Sequence, residues 1–145
     1  MRRMIESQSE EETYALGLEM GRKAMAGEVY ALIGDLGVGK TAFTKGFAAG
    51  LEVEDYVSSP TFTIVQEYEG GRLPLYHFDV YRIGDAEEMD EIGFSDYVYS
   101  DGVSLIEWAD RIKDILPSSH LEIRMEKELE KGLNYRRICI KRIGD

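Results

Sequence analysis

The sequence predicts an α/β fold in three layers, a mixed central sheet flanked by helices, and three observations predict it. The run "EVYALIG" carries apolar residues on both parities and leads through a glycine-rich stretch into an amphipathic segment, so strand, loop and helix follow one another. Strand-like runs continue downstream between helical ones, the order that lays helices over a sheet. A length of 145 residues with 43% hydrophobic and 10% aromatic content suits one core, so residues 1–145 are expected to form a single domain.

Taken in order, Ser9 to Ala26 is expected to be helical. Tyr14, Leu18, Gly21 and Met25 recur at three- and four-residue spacing, Ser9 and Glu12 make a capping box, and Gly27 ends the segment. After the "EVYALIG" strand, Phe43 and Phe47 lie four apart with Gly50 at a terminator position, which predicts a helix from about Gly39 to Ala49. Pro60 pushes Ser59 out of the helical region, and "TFTIVQEY" then reads as a strand up to a turn at Gly70 and Gly71. In "LPLYHFDVYR" strict alternation puts Tyr76, Phe78 and Val80 on a core face and His77, Asp79 and Tyr81 on a polar one. The acidic stretch after Gly84 predicts a short helix capped by Asp85, with Glu88 at the box position. "GVSLIEWADRIKDILP" reads as a strand through Ile106 and then a helical turn or two ending at Pro117. "HLEIRME" and "YRRICIKRI" alternate as strands joined by a turn near Gly132 and Asn134.

Composition excludes several classes of function. The net charge of −11 argues against autonomous binding of DNA or RNA, and the basic run "RRICIKR" is expected to be the solvated face of a strand. Cys139 has no second cysteine to pair with, so a disulfide framework and a cysteine-based zinc site are excluded and a buried structural thiol is expected. No apolar run reaches membrane-span length, and "MRRMIESQSEEET" turns acidic before a signal-type hydrophobic region forms, which predicts a cytoplasmic protein.

The stretch "GDLGVGKT" matches G-x-x-x-x-G-K-[ST] at Gly34, Gly39, Lys40 and Thr41. A polyphosphate needs many converging N–H donors, and only a loop nearly free of side chains lets the backbone approach it. Gly34, Asp35, Leu36, Gly37, Val38 and Gly39 form that loop, and the helix opened by Lys40, Thr41 and Ala42 aims its positive end at the same place. Lys40 would reach the β- and γ-phosphates and Thr41 would offer its hydroxyl to Mg²⁺. The motif in its strand-loop-helix setting therefore predicts a P-loop NTPase-like fold and a bound nucleoside triphosphate.

Magnesium on such phosphates calls for carboxylates at strand ends. Glu107 closes "VSLIE", where an open α/β sheet presents groups to its ligand crevice, and its bland alternative is an exposed strand-end acid. Asp79 is the other candidate, unless it pairs with Arg82 or His77. His77 reads as a hydrogen-bonded structural residue, because one histidine beside one acid makes no nucleophilic arrangement. Thr61, after Ser59 and Pro60, is either a γ-phosphate-sensing switch residue or a strand-initiating threonine. Trp108 is either core or a residue facing a substrate or partner. A guanine reader of the N-K-x-D type is missing, since Asn134 is the only asparagine, which argues against a typical GTPase. A small-metabolite kinase is the runner-up, although no long insertion offers a lid. A binding module gated by nucleotide without needed turnover is the reading outside enzymes.

The blocks "GDLGVGKT", "SPTF", "YHFDVYR", "EIGFSDY" and "IEWADR", in this order, resemble the TsaE family from about residue 10 to about residue 115. The resemblance implies an ATPase that uses Mg²⁺ and serves the synthesis of N6-threonylcarbamoyladenosine at position 37 of tRNA. It implies TsaD and TsaB as partners, with tRNA reached only through their complex. It carries nucleotide binding onto Gly34 through Thr41, metal-associated roles onto Thr41 and Glu107, and the acid of "HFD" onto Asp79. It also carries the switch-like threonine onto Thr61, the tryptophan onto Trp108 and a nucleotide-contacting arginine onto Arg136, with Arg137 as the alternative. Thr13 is implied near the adenine, and Val38 stands where an alanine is commoner. With Lys40, Thr61, Asp79 and Glu107 as the catalytic set, Glu107 or Asp79 would position the attacking water. No finger arginine is evident near the motifs, so slow hydrolysis is expected without partners.

Overall fold

The computed structural model describes residues 2–34, 39–54, 57 and 64–144, and within them seven strands join one sheet. The strands are β1 (Arg2–Ser7), β2 (Val29–Ile33), β3 (Val65–Tyr68), β4 (Leu75–Asp79), β5 (Val103–Glu107), β6 (His120–Lys127) and β7 (Arg136–Ile143). Their order across the sheet is β1-β7-β6-β2-β5-β4-β3. The central β6, β2, β5 and β4 are mutually parallel, while β7 and β3 join them antiparallel and β1 pairs antiparallel with β7. The mixed sheet is therefore as expected, with a parallel centre that must be covered on both faces.

That requirement explains β2, whose five residues are all buried. Tyr30 and Leu32 meet Phe43 and Phe47 of one hydrophobic cluster, and Val29, Ala31 and Ile33 belong to a second cluster with Phe78, Phe94 and Ile112. On the first face lie α1 (Glu10–Lys23) and α2 (Lys40–Gly50), and on the second α3 (Glu87–Glu91), α4 (Phe94–Val98) and a 3-10 segment at Ala109–Ile115. Asp85 caps the start of α3 as expected, accepting the N–H groups of Glu87 at 3.1 Å and Glu88 at 3.3 Å, while Glu88 takes the Gly84 N–H.

Helix α1 departs from its predicted face and length. Ser9 does cap it, its Oγ accepting the Glu12 N–H at 3.1 Å while Glu12 reaches back to the Gln8 N–H at 3.2 Å. The helix ends at Lys23 rather than Ala26, and its buried residues are Thr13, Leu16, Gly17 and Gly21, whereas Tyr14 and Met25 are exposed. The contact face is made of glycine, which a search for bulky periodicity cannot see. A Cβ on Gly17 would lie 2.2 Å from the Phe43 carbonyl oxygen, and one on Gly46 would lie 2.1 Å from that of Tyr14. The two helices thus touch backbone to backbone, a spacing that no larger residue permits.

Three other expectations need correction. The strand β1 was not expected from the sequence, because its burial pattern is almost wholly exposed and carries no periodic signal. Cys139 is half-buried rather than buried, since it lies on β7 opposite Met4 and Arg124, on the side away from Ile138 and Ile140. The polar face of β4 is shorter than expected: His77 and Asp79 share it, His77 being buried and Asp79 lining a cleft, but the strand stops at Asp79 before Tyr81. The basic run on β7 does balance acids, Arg137 pairing with Glu126 and Glu128 and Arg142 with Glu28.

Candidate functional site

Three parallel strands end side by side, and their C-terminal ends carry the polar residues of the site. Leu32 of β2 pairs with Glu107 of β5, and Glu107 pairs with Asp79 of β4, so the two carboxylates are register neighbours beside the exit from β2 into Gly34. This is the edge at which open α/β sheets bind ligands. A cleft of about 630 Å³ opens there, lined by Gly39, Lys40, Thr41, Ala42, Asp79 and Glu107 among others.

Gly39 precedes α2 in the left-handed region, with φ of 99°, a conformation that glycine adopts without strain. The next residue, Lys40, is buried, yet its ammonium group is well provided for. Its Nζ donates to the Gly34 carbonyl at 2.7 Å and lies 3.4 Å from the centre of the Trp108 ring, a cation–π contact. Trp108 itself is held at φ 62° and ψ 34°, which costs a side-chain-bearing residue about 1–3 kcal/mol and persists only where neighbours over-determine it. Those neighbours are Lys40 and Tyr81, whose ring centre is 4.7 Å from that of Trp108. Trp108 is half-buried: it packs on the second core cluster, as the core alternative expects, and its ring meets the cleft lysine.

The two acids differ. Asp79 is half-buried, and its Oδ1 accepts the Tyr81 N–H at 3.0 Å, a bond to the backbone two residues on instead of a pairing with Arg82 or His77. Glu107 is 4% exposed, and its Oε2 lies 2.5 Å from Nε2 of His77, itself 1% exposed. The exposed strand-end alternative for Glu107 is thereby set aside. His77 is the hydrogen-bonded residue expected, but bonded to Glu107 rather than Asp79.

Elsewhere on the cleft wall stand Arg136 and Thr13, whose methyl lies 3.6 Å from where a Cβ on Gly39 would be, while Arg137 is engaged by Glu126 and Glu128. Arg136 Nη1 donates to the carbonyls of Leu133 at 2.9 Å and Tyr135 at 2.8 Å. Ser7 donates its hydroxyl proton to the Ser9 carbonyl at 2.9 Å, so the 2.7 Å contact between the Ser7 and Thr13 hydroxyls has Thr13 as donor. Lys45 and Asn134 also line the cleft and were not singled out from the sequence. Lys45 follows Thr41 by one helical turn, a signal that was available. Asp35, Leu36, Gly37, Val38, Ser59, Pro60 and Thr61 lie outside the described residues.

Among the described residues, no three His, Cys, Asp or Glu side chains gather into a protein-only metal cage. Magnesium on a nucleotide does not need one, because it keeps phosphate and water ligands and takes one or two carboxylates. Glu107 and Asp79, adjacent in register on the same cleft as Thr41, fit that requirement.

A family model described as Threonylcarbamoyl adenosine biosynthesis protein TsaE matches residues 7–138. The chain is 45% identical over 135 residues to the tRNA threonylcarbamoyladenosine biosynthesis protein TsaE of Bacillus subtilis (strain 168), covering 93% of this chain and 82% of that protein. The protein of the same name from Treponema pallidum (strain Nichols) is 42% identical over 119 residues, covering 82% of this chain and 87% of its own. A crystal structure of Bacillus subtilis YdiB superposes with a TM-score of 0.83 at 38% identity, covering 99% of this chain and 87% of that one.

Proposed function

The chain belongs to the TsaE family, and from that premise we propose that it is the Mg²⁺-dependent ATPase that sustains threonylcarbamoyladenosine formation on tRNA, acting with TsaD and TsaB in the bacterial cytoplasm. One observation carries this reading: a buried lysine at the start of α2 and two register-paired carboxylates line a single cleft. Among the described residues no helix is long and apolar enough to cross a membrane. The acidic balance of −11 supports leaving tRNA to the partners.

The chemistry asked of the chain is mostly placement and charge. Lys40 and the N–H groups at the start of α2 offset phosphate charge, and Lys40 exchanges its Gly34 and Trp108 contacts for phosphate oxygens. Thr41, Glu107 and Asp79 would hold the magnesium ion, whose charge would offset that of the phosphates. Asp79 or Glu107 orients water for in-line attack on the γ-phosphorus, with ADP leaving along the opposite side. Trp108, with the Tyr81 ring tilted against it and Arg111 4.8 Å from the Tyr81 ring, offers partners an aromatic surface at the cleft.

Reconstitution with TsaB and TsaD, following ATP consumption and modified tRNA together, tests the proposal. Several rounds of modification per complex with ATP, but a single round with a non-hydrolysable analogue, is the expected result. Equal turnover with both would leave only a nucleotide-gated module, and phosphate transfer to a small metabolite would establish a kinase instead.

A further inference from the structure

We propose that His77 is a positioning residue for Glu107, holding its carboxylate in the orientation that serves the phosphate end of the cleft. The inference rests on the nucleotide reading above. Glu107 is the last residue of β5, and a glutamate there has several rotamers available, most of them unsuited to a ligand on one side of the strand end. His77 lies two residue pairs further into the sheet, opposite Leu105 in the β4–β5 register, and its ring reaches forward along the strand to Glu107.

The histidine is expensive where it stands. It is 1% exposed in a layer of Leu75, Leu105 and Leu32, and its Nδ1 has no hydrogen-bond partner among the described residues. An apolar side chain would satisfy that layer without leaving a buried polar atom unpaired. The one hydrogen bond its ring makes there, 2.5 Å to Oε2, is therefore what the polarity provides. It fixes one carboxylate oxygen and with it the χ angles of Glu107, in the way that outer residues orient ligating carboxylates.

The test compares His77→Asn, whose amide is too short to reach Glu107, with His77→Gln, whose amide places a donor near the position of Nε2. Calorimetry measures ATP affinity with and without Mg²⁺ for each variant. We expect His77→Asn to lose about 10–100-fold of the Mg²⁺-dependent part of affinity, with metal-free affinity within about twofold of the parent, and His77→Gln to recover most of the loss. Combined with Glu107→Gln, the loss from His77→Asn should vanish, since the two act through one carboxylate. Equal behaviour of the Asn and Gln variants, or a loss that persists beside Glu107→Gln, would overturn the inference. A parent protein that binds no Mg·ATP would instead sink the nucleotide reading itself.

Discussion

Two groups of residues on the cleft are built by different kinds of connection. In the first, Gly34, Gly39, Lys40 and Thr41 lie within eight residues of chain, and strand pairing brings Asp79 and Glu107 beside the exit from β2. In the second, Thr13 leans on Ser7 of β1, and Arg136 begins β7 at the other extreme of the sequence, where Ser7 and Arg136 are paired. The first is local chemistry held by the sheet's centre. The second is assembled from both termini and depends on a margin of the sheet, where pairing is least buttressed.

The strongest way to break the contrast is in the first group. Lys40→Ala removes a buried cation together with its contacts to the Gly34 carbonyl and the Trp108 ring. ATP hydrolysis by the reconstituted complex is expected to fall about 10²–10³-fold, as for loss of one preorganised charge-stabilising donor, with the thermal midpoint lowered modestly as Trp108 loses one of the neighbours that hold it. A loss of less than threefold would mean that phosphate is seated elsewhere.

The same contrast explains what could be read from the sequence. The glycine-rich stretch was legible as a motif because its spacing is local: glycines, a lysine and the start of α2 follow in fixed order. Glu107 was legible from its place at the end of an apolar run, and Asp79 from strand alternation. The bond between His77 and Glu107 was not, because it joins residues 30 apart whose register only the sheet determines. Nor was β1, whose exposed residues carry no period, or the glycine face of α1, where close packing is achieved by absence of side chains. Arg136 could be preferred to Arg137 only as a resemblance. The structure separates them because neighbours on a strand point to opposite faces, which sends Arg137 to Glu126 and Glu128.

A smaller effect tests what couples the two groups. Helix α1 carries Thr13 and α2 carries Lys40, and the glycine crossing fixes one against the other. Gly46→Ala would set a Cβ 2.1 Å from the Tyr14 carbonyl oxygen, and the helices must part because neither backbone can yield alone. We expect a destabilisation of about 1–3 kcal/mol by urea denaturation, together with weaker ATP binding although no cleft residue has changed. Gly70→Ala, at a turn with nothing within 4 Å of the added carbon, should change neither quantity.

The smallest effect is confined to the sheet margin at β1 and depends on pH. Glu6 of β1 accepts the Tyr135 hydroxyl at 2.7 Å, and this bond, followed by the charge of Lys131, holds its carboxyl below the ordinary range. A depressed carboxyl contributes stability that is present above its unfolded value, about 4.3, and is lost as pH falls through the folded one. The same bond is the leading reason that the Tyr135 hydroxyl titrates above its ordinary value, so that contribution is present below about pH 10 and is lost as pH rises through the folded value. Tyr135→Phe removes both limbs at once. The urea midpoints of parent and variant should differ most between about pH 5 and pH 9 and converge toward either extreme. An offset that stays the same toward both extremes of pH would assign the effect to packing of the ring, which is buried, and would leave that margin held by apolar contact instead of the hydroxyl.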